Sequence, residues 1–190
     1  LSKEVLQKIL KEKEKYGSRK EGKNVIIEFP GPNTNKPLHL GHVRNIVLGM
    51  SISNLFKFLG DKVKIVNLNN DRGIHISQAM VAYMRYGKNK KPDKKSDHFV
   101  GDFYVLFNKN LDKGLEEKSK EVLRKWEEGD KEIRRVWKEM NSWALKGFKE
   151  TYKKFNLKID KEYYESKVYK TGKEIVLEQY KKGKVLKKED

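Results

Sequence analysis

Cysteine is absent from all 190 residues, which excludes a disulfide framework, a thiolate zinc site and a cysteine nucleophile. Histidine occurs only four times and never at metal-ligand spacing, so no structural metal is expected. No apolar run approaches the roughly 18 residues that a bilayer-spanning helix needs, and no secretory leader is visible. A soluble, cytoplasmic protein with no membrane partner is the expectation. Acidic residues are in deficit, 27 against 44 Lys and Arg, for a formal net charge of +17. An excess of this size favours phosphate-bearing partners, but it speaks to association and not to fold, and solubility alone accounts for it equally well. Lysine far outnumbers arginine, which argues against base-specific readout of a nucleic acid.

What the chain does hold is an ordered strand–turn–helix pattern. Asn24-Val25-Ile26-Ile27-Glu28-Phe29 is a short, largely apolar run closed by Pro30-Gly31-Pro32, as expected of a buried parallel strand. Downstream, Val43, Ile46, Val47, Met50, Leu55, Phe58 and Leu59 recur near helical spacing, and Gly60 supplies a stop. Between them lies Pro32-Asn33-Thr34-Asn35-Lys36-Pro37-Leu38-His39-Leu40-Gly41-His42. Ligands of open α/β sheets bind beyond the carboxyl ends of strands, where a helix presents free N–H groups to anions. With His39 and His42 three residues apart, both imidazoles can lie on one side of a first helical turn, where they can donate to phosphate oxygens. Gly41 would allow a nucleotide to come close.

These residues resemble a known family. His39-x-Gly41-His42 is similar to the signature of class I aminoacyl-tRNA synthetases. The longer Glu28-Phe-x-x-Pro-Asn-x-x-Lys-Pro-x-His-x-Gly-His-x-Arg44 pattern resembles that of arginyl-tRNA synthetases in particular. The resemblance continues through Val63–Asn67 as a second strand and into Asn70-Asp71-Arg72-Gly73, where many arginyl enzymes carry Gly-Asp-x-Gly. It extends more loosely to Phe99–Tyr104 and Phe155–Asp160.

The resemblance implies an α/β fold: the first half of a Rossmann-like parallel-sheet nucleotide-binding domain followed by a mostly helical insertion. It divides the chain into a connecting helix (1–22), the first half of the catalytic domain (23–98) and a helical and insertion region (99–190). It implies a two-step reaction in which arginine is activated by ATP, with Mg2+ screening the phosphates, and is then esterified to tRNA(Arg). His39 and His42 would act at the α-phosphate as catalytic and ATP-binding residues, with Gly41 in the same turn. Lys36 would assist the phosphates, and Glu28 and Asn33 would line the arginine pocket. No Lys-Met-Ser-Lys-Ser-like segment follows, and the chain starts at Leu1, so a fragment unable to aminoacylate alone is expected. Two alternatives stand beside this one: another class I synthetase or nucleotidyltransferase, and a non-catalytic RNA-binding module.

The remaining pattern is mainly helical. Ser2–Tyr16 reads as an amphipathic helix packing on or leading into the sheet, with Val5, Leu6, Ile9 and Leu10 along one side. Ile74–Tyr86 reads as a helix closed by Gly87, and 88–97 as a polar loop. From Phe99 to Phe155 the pattern is helical with breaks near Asp112–Gly114 and Glu128–Asp130, and its Trp and Met stripes read as core. Leu157–Tyr164 reads as extended, Thr171–Lys182 as a helix capped by Thr171, and Val185 as the start of a strand. Asp71 and Arg72 read equally as a turn with an ion pair or as part of the site. His75 and His98 read as surface or packing residues.

Overall fold

A computed structural model describes residues 2–18, 22–110, 112–186 and 188. Three parallel strands form an open sheet in the order β1-β2-β3. They are β1 (Asn24–Glu28), β2 (Lys62–Asn69) and β3 (Lys161–Tyr164). Asn24 stands opposite Lys62 and Glu28 opposite Val66, while Val66 stands opposite Lys161 on the other side. Helix α2 (Leu40–Phe58) crosses from β1 to β2, ending as expected before Gly60, whose φ of 97° glycine adopts freely. Four helices lie between β2 and β3: α3 (Ile74–Ala82), α4 (Ser96–Lys109), α5 (Lys113–Glu128) and α6 (Lys131–Lys154). Helix α3 continues into a wider π turn at Tyr83–Gly87.

The helix boundaries follow local chemistry. Asp112 accepts from Leu115 N–H at 2.7 Å and Asp130 from Ile133 N–H at 2.9 Å, each satisfying an orphan donor of a first turn. Gly129, at φ 88°, closes α5 in the left-handed conformation. The stripes of α4, α5 and α6 turn inward: Phe103, Phe107, Val122, Trp126, Val136, Met140 and Phe148 are buried with Met80 and Tyr83 of the α3 segment. One hydrophobic cluster runs from Phe29 to Leu157 and so joins residues on both sides of position 98. Burial of a ring such as Phe107 contributes roughly 1.5–3 kcal/mol.

Four expectations are corrected. Strand β1 is not buried on both faces: β2 is its one neighbour among the described residues, and Ile26 is 70% exposed. Helix α1 (Ser2–Glu12), followed by a 3-10 turn at Lys13–Lys15, leads toward β1 but buries no residue, with Val5, Leu6, Ile9 and Leu10 exposed. Helix α7 (Glu165–Lys181) starts six residues before Thr171, directly after β3, because a distant carboxylate caps it. Val185 starts no strand among the described residues.

Candidate active site

The turn between β1 and α2 is held from below by asparagines of β2. Asn67 Oδ1 accepts from Gly31 N–H at 3.0 Å, Asn67 Nδ2 donates to Asn69 Oδ1 at 3.1 Å, and both asparagines are fully buried. Beyond the strand end, Asn70 N–H donates to Pro32 O at 2.9 Å and Thr34 N–H to Asn70 O at 3.1 Å, so Asn33 and Asn70 form an isolated parallel bridge. Asn70 is not among the positive-φ residues, so its side chain in place of glycine costs no backbone strain there; Gly73, at φ 115°, is where glycine is required.

His39 and His42 interlock. His39 is the N-cap of α2, and its Nδ1 accepts from Gly41 N–H at 3.1 Å, while His42 Nδ1 accepts from His39 N–H at 3.1 Å. This is a capping box built from imidazoles. The rings lie 4.1 Å apart, centroid to centroid, at 48°. With each Nδ1 serving as acceptor, the neutral tautomer of each ring carries its proton on Nε2. His42 is buried, and that desolvation, with the charges of His39 and Lys36 beside it, lowers its pKa to about 4. At neutral pH it is therefore an uncharged N–H donor. Gly41 N–H is given to His39 and not left free. A Cβ at Gly41 would meet His39 Cε1 at 2.9 Å, so the glycine makes room for the ring as well.

Lys36 is half-buried on the same turn and near enough to act on His42. Glu28 is exposed at the end of β1 and lines a cleft of about 410 Å³ with Asn45 and Gly49 of α2. No hydrogen bond or ion pair joins Glu28 to the histidines among the described residues. The structure thus gathers His39, Gly41, His42 and Lys36, while Glu28 lines the cleft beside α2 and Asn33 bridges to Asn70. The donor set, two imidazole N–H groups and an ammonium, suits anionic phosphate oxygens.

Supporting residues that the sequence does not single out complete the site. Gly101 of α4 faces the turn, since a Cβ there would lie 2.5 Å from Pro37 Cδ. A glycine inside a helical pattern is the only hint of this notch. Asp71 is a junction: its carboxylate accepts from Ser166 N–H at 2.8 Å and Ser166 Oγ at 2.6 Å, capping α7. Its backbone carbonyl accepts from Trp137 Nε1 at 2.6 Å and Asn141 Nδ2 at 3.3 Å. The Arg72 guanidinium lies 4.0 Å from the Tyr169 ring centroid and pairs with Glu127 and Glu165. These two residues join β2 to α5, α6 and α7. His75 and His98 are exposed, His75 meeting Gln78 at 3.2 Å.

The family described as tRNA synthetases class I (R), catalytic domain, matches residues 5–190. The chain belongs to that family. It is 50% identical over 200 residues to the arginine–tRNA ligase of Treponema denticola, covering 100% of this chain and 34% of that protein. To the arginine–tRNA ligase of Borrelia turicatae it is 47% identical over 195 residues, covering 99% and 33%. The arginyl-tRNA synthetase structure from Thermus thermophilus shares its fold with a TM-score of 0.66 at 25% identity, covering 94% of this chain and 30% of that one. The chain spans about a third of the length of these relatives.

Proposed function

We propose that this chain supplies the ATP-gripping half of an enzyme that activates arginine with ATP and attaches it to tRNA(Arg) in the cytoplasm. The observation that carries this reading is the interlocked histidine pair, whose capping hydrogen bonds commit both Nδ1 atoms and so leave the proton of each neutral ring on Nε2. The arginine carboxylate attacks the α-phosphorus and pyrophosphate departs. His39 and His42 donate to the oxygens of the phosphate under attack, where charge grows in the transition state. Lys36 faces the remaining phosphates. Glu28 and Asn33 lie on the arginine side, a carboxylate being the natural partner of a guanidinium. Magnesium enters as part of the nucleotide substrate; no group of three or more His, Asp or Glu residues that could hold a metal occurs among the described residues.

The test is charging of tRNA(Arg) with labelled arginine by the full-length gene product, together with arginine-dependent pyrophosphate exchange in the presence of tRNA. Exchange driven by a different amino acid would replace this reading with another class I synthetase. The isolated 190-residue chain is expected not to aminoacylate, because it contains no Lys-Met-Ser-Lys-Ser-like segment to complete the phosphate site. Robust arginylation by this chain alone would overturn the half-site assignment.

A further inference from the structure

The loop Asn70–Gly73, between β2 and α3, holds the histidine turn on one side and the late helices on the other. Asn70 N–H donates to Pro32 O at 2.9 Å, and Asn70 O accepts from Thr34 N–H at 3.1 Å and Thr34 Oγ1 at 3.4 Å. Thr34 is buried in the turn that carries Lys36 and His39. At the other end of the loop, Gly73 sits at φ 115°, its conformationally freest point, so side chains must hold that end in place.

Arg72 supplies such a hold, at the position that the Gly-Asp-x-Gly resemblance leaves open. Its side chain is 14% exposed. The guanidinium carbon lies 4.0 Å from the Tyr169 ring centroid and 5.5 Å from that of Trp126. Its terminal nitrogens pair with Glu127 of α5 and, at 4.0 Å, with Glu165 of α7. Nε has no acceptor, so two rings and two carboxylates make the grip. Helix α7 buries no residue of its own and meets this grip through Glu165 and Tyr169. The same short loop is therefore clamped to α5 and α7 by a side chain and bonded to the histidine turn by its backbone.

We infer that Arg72 is a positioning residue for ATP activation: its grip on α5 and α7 fixes the loop whose Asn70 backbone pins the turn bearing Lys36, His39 and His42. It acts through Asn70 and not on the substrate. That the turn works on ATP rests on the function proposed above. A turn left to shift loses transition-state contacts before ground-state ones, because the former depend more steeply on aim. The signature is a fall in kcat with KM for ATP held. Glu127 and Glu165 have side chains 46% and 35% exposed, so removing Arg72 returns them to water and strands no buried charge.

The experiment pairs hydrogen exchange at the Thr34 and Asn70 amides of this chain with arginylation kinetics of the full-length gene product. In Arg72→Gln both amides should exchange about tenfold faster, with the Ile65 amide inside the sheet unchanged. Its kcat should fall about tenfold, with KM for ATP held within about twofold. Arg72→Lys keeps the charge facing both carboxylates and loses only the planar stack, giving a second folded variant with shifts of about threefold in the same directions. Arg134→Gln is the control. Arg134 of α6 lies 4.8 Å from the same Trp126 ring and donates to Trp126 O at 3.1 Å, so it ties α6 to α5. Its loss should lower Tm and leave exchange at Thr34 and kcat unchanged. Unchanged exchange or unchanged kcat in Arg72→Gln, equal losses in Arg134→Gln, or a raised KM with kcat held would overturn the positioning role. If the wild-type full-length protein does not arginylate while Arg72→Gln still loosens Thr34, the proposed function fails and the grip on the turn survives. Wild-type arginylation with Arg72→Gln indistinguishable from it refutes the positioning role alone.

Discussion

Gly101→Ala and Gly172→Ala are the same substitution in two helices, and the structure assigns them opposite outcomes. At Gly172, inside α7, a Cβ meets nothing within 4 Å. The methyl there only removes glycine's conformational freedom, which should stabilise by about 0.5–1 kcal/mol. At Gly101 the same methyl lands 2.5 Å from Pro37 Cδ, about 0.9 Å inside ordinary contact. The proline ring cannot rotate away, so α4 and the turn carrying Lys36 and His39 must separate by nearly that amount. Overpacking costs about 1–3 kcal/mol, and the helix-propensity gain of roughly 1 kcal/mol offsets part of it. With a shift of about 2–4 °C per kcal/mol for a chain of this size, Gly172→Ala should raise Tm by a few degrees. Gly101→Ala should leave it level or lower it by several. Activity separates them further: a displacement near 1 Å at a positioned catalytic group costs roughly 10²-fold, so arginylation kcat of the full-length Gly101→Ala protein should fall about a hundredfold well below Tm. Arginylation within threefold of wild type, with the fold intact by circular dichroism, would refute the claim that α4 sets the position of the histidine turn.

Three other outcomes follow from the geometry. His39→Asn keeps a good N-cap but removes the Nε2–H; it should hold Tm and lower arginylation kcat by about 10²–10³, and a loss below tenfold would count against a phosphate role. His42 has a folded pKa of about 4 against 6.5 unfolded, so between those values the unfolded chain takes up a proton that the folded chain refuses. Stability contributed by this residue is thus complete above pH 6.5 and falls as pH drops toward 4. His42→Gln, which retains the capping geometry, should flatten that part of a Tm–pH profile, and an identical slope would contradict the assignment. Asp71→Ala leaves Ser166 N–H and Oγ without their acceptor, at a cost of about 1–3 kcal/mol. Faster hydrogen exchange should appear at the start of α7, with unchanged protection there as the contrary result.

The strand–turn–helix from Asn24 to Gly60 was legible because each signal is local: apolar run, punctuating prolines, histidines at a fixed offset, helical periodicity. Asp112, Gly129 and Asp130 likewise announced the α5 and α6 boundaries, since a cap acts within three residues. Features decided at a distance were not legible. Thr171 looks like a cap, yet the true start of α7 is fixed by Asp71, 95 positions away from Ser166. The strand holding Ile26 read as buried because the apolar pattern of a strand does not tell how many neighbours it has. Gly101 reads as one more helical position until Pro37 is placed against it. In the site itself, proximity of the two imidazoles was readable from their spacing, but their mutual backbone hydrogen bonds, and hence the tautomer, were not.

The open rim of β1 has a colloidal consequence. With β2 as its one neighbour among the described residues, β1 leaves a free edge on which another copy can add its own strand, next to an exposed Ile26. What keeps copies of this chain apart is mutual repulsion from +17 charges. Added electrolyte shortens the reach of that repulsion to about 10 Å at 0.1 M and about 3 Å at 1 M, so clumping of the isolated chain should worsen with ionic strength.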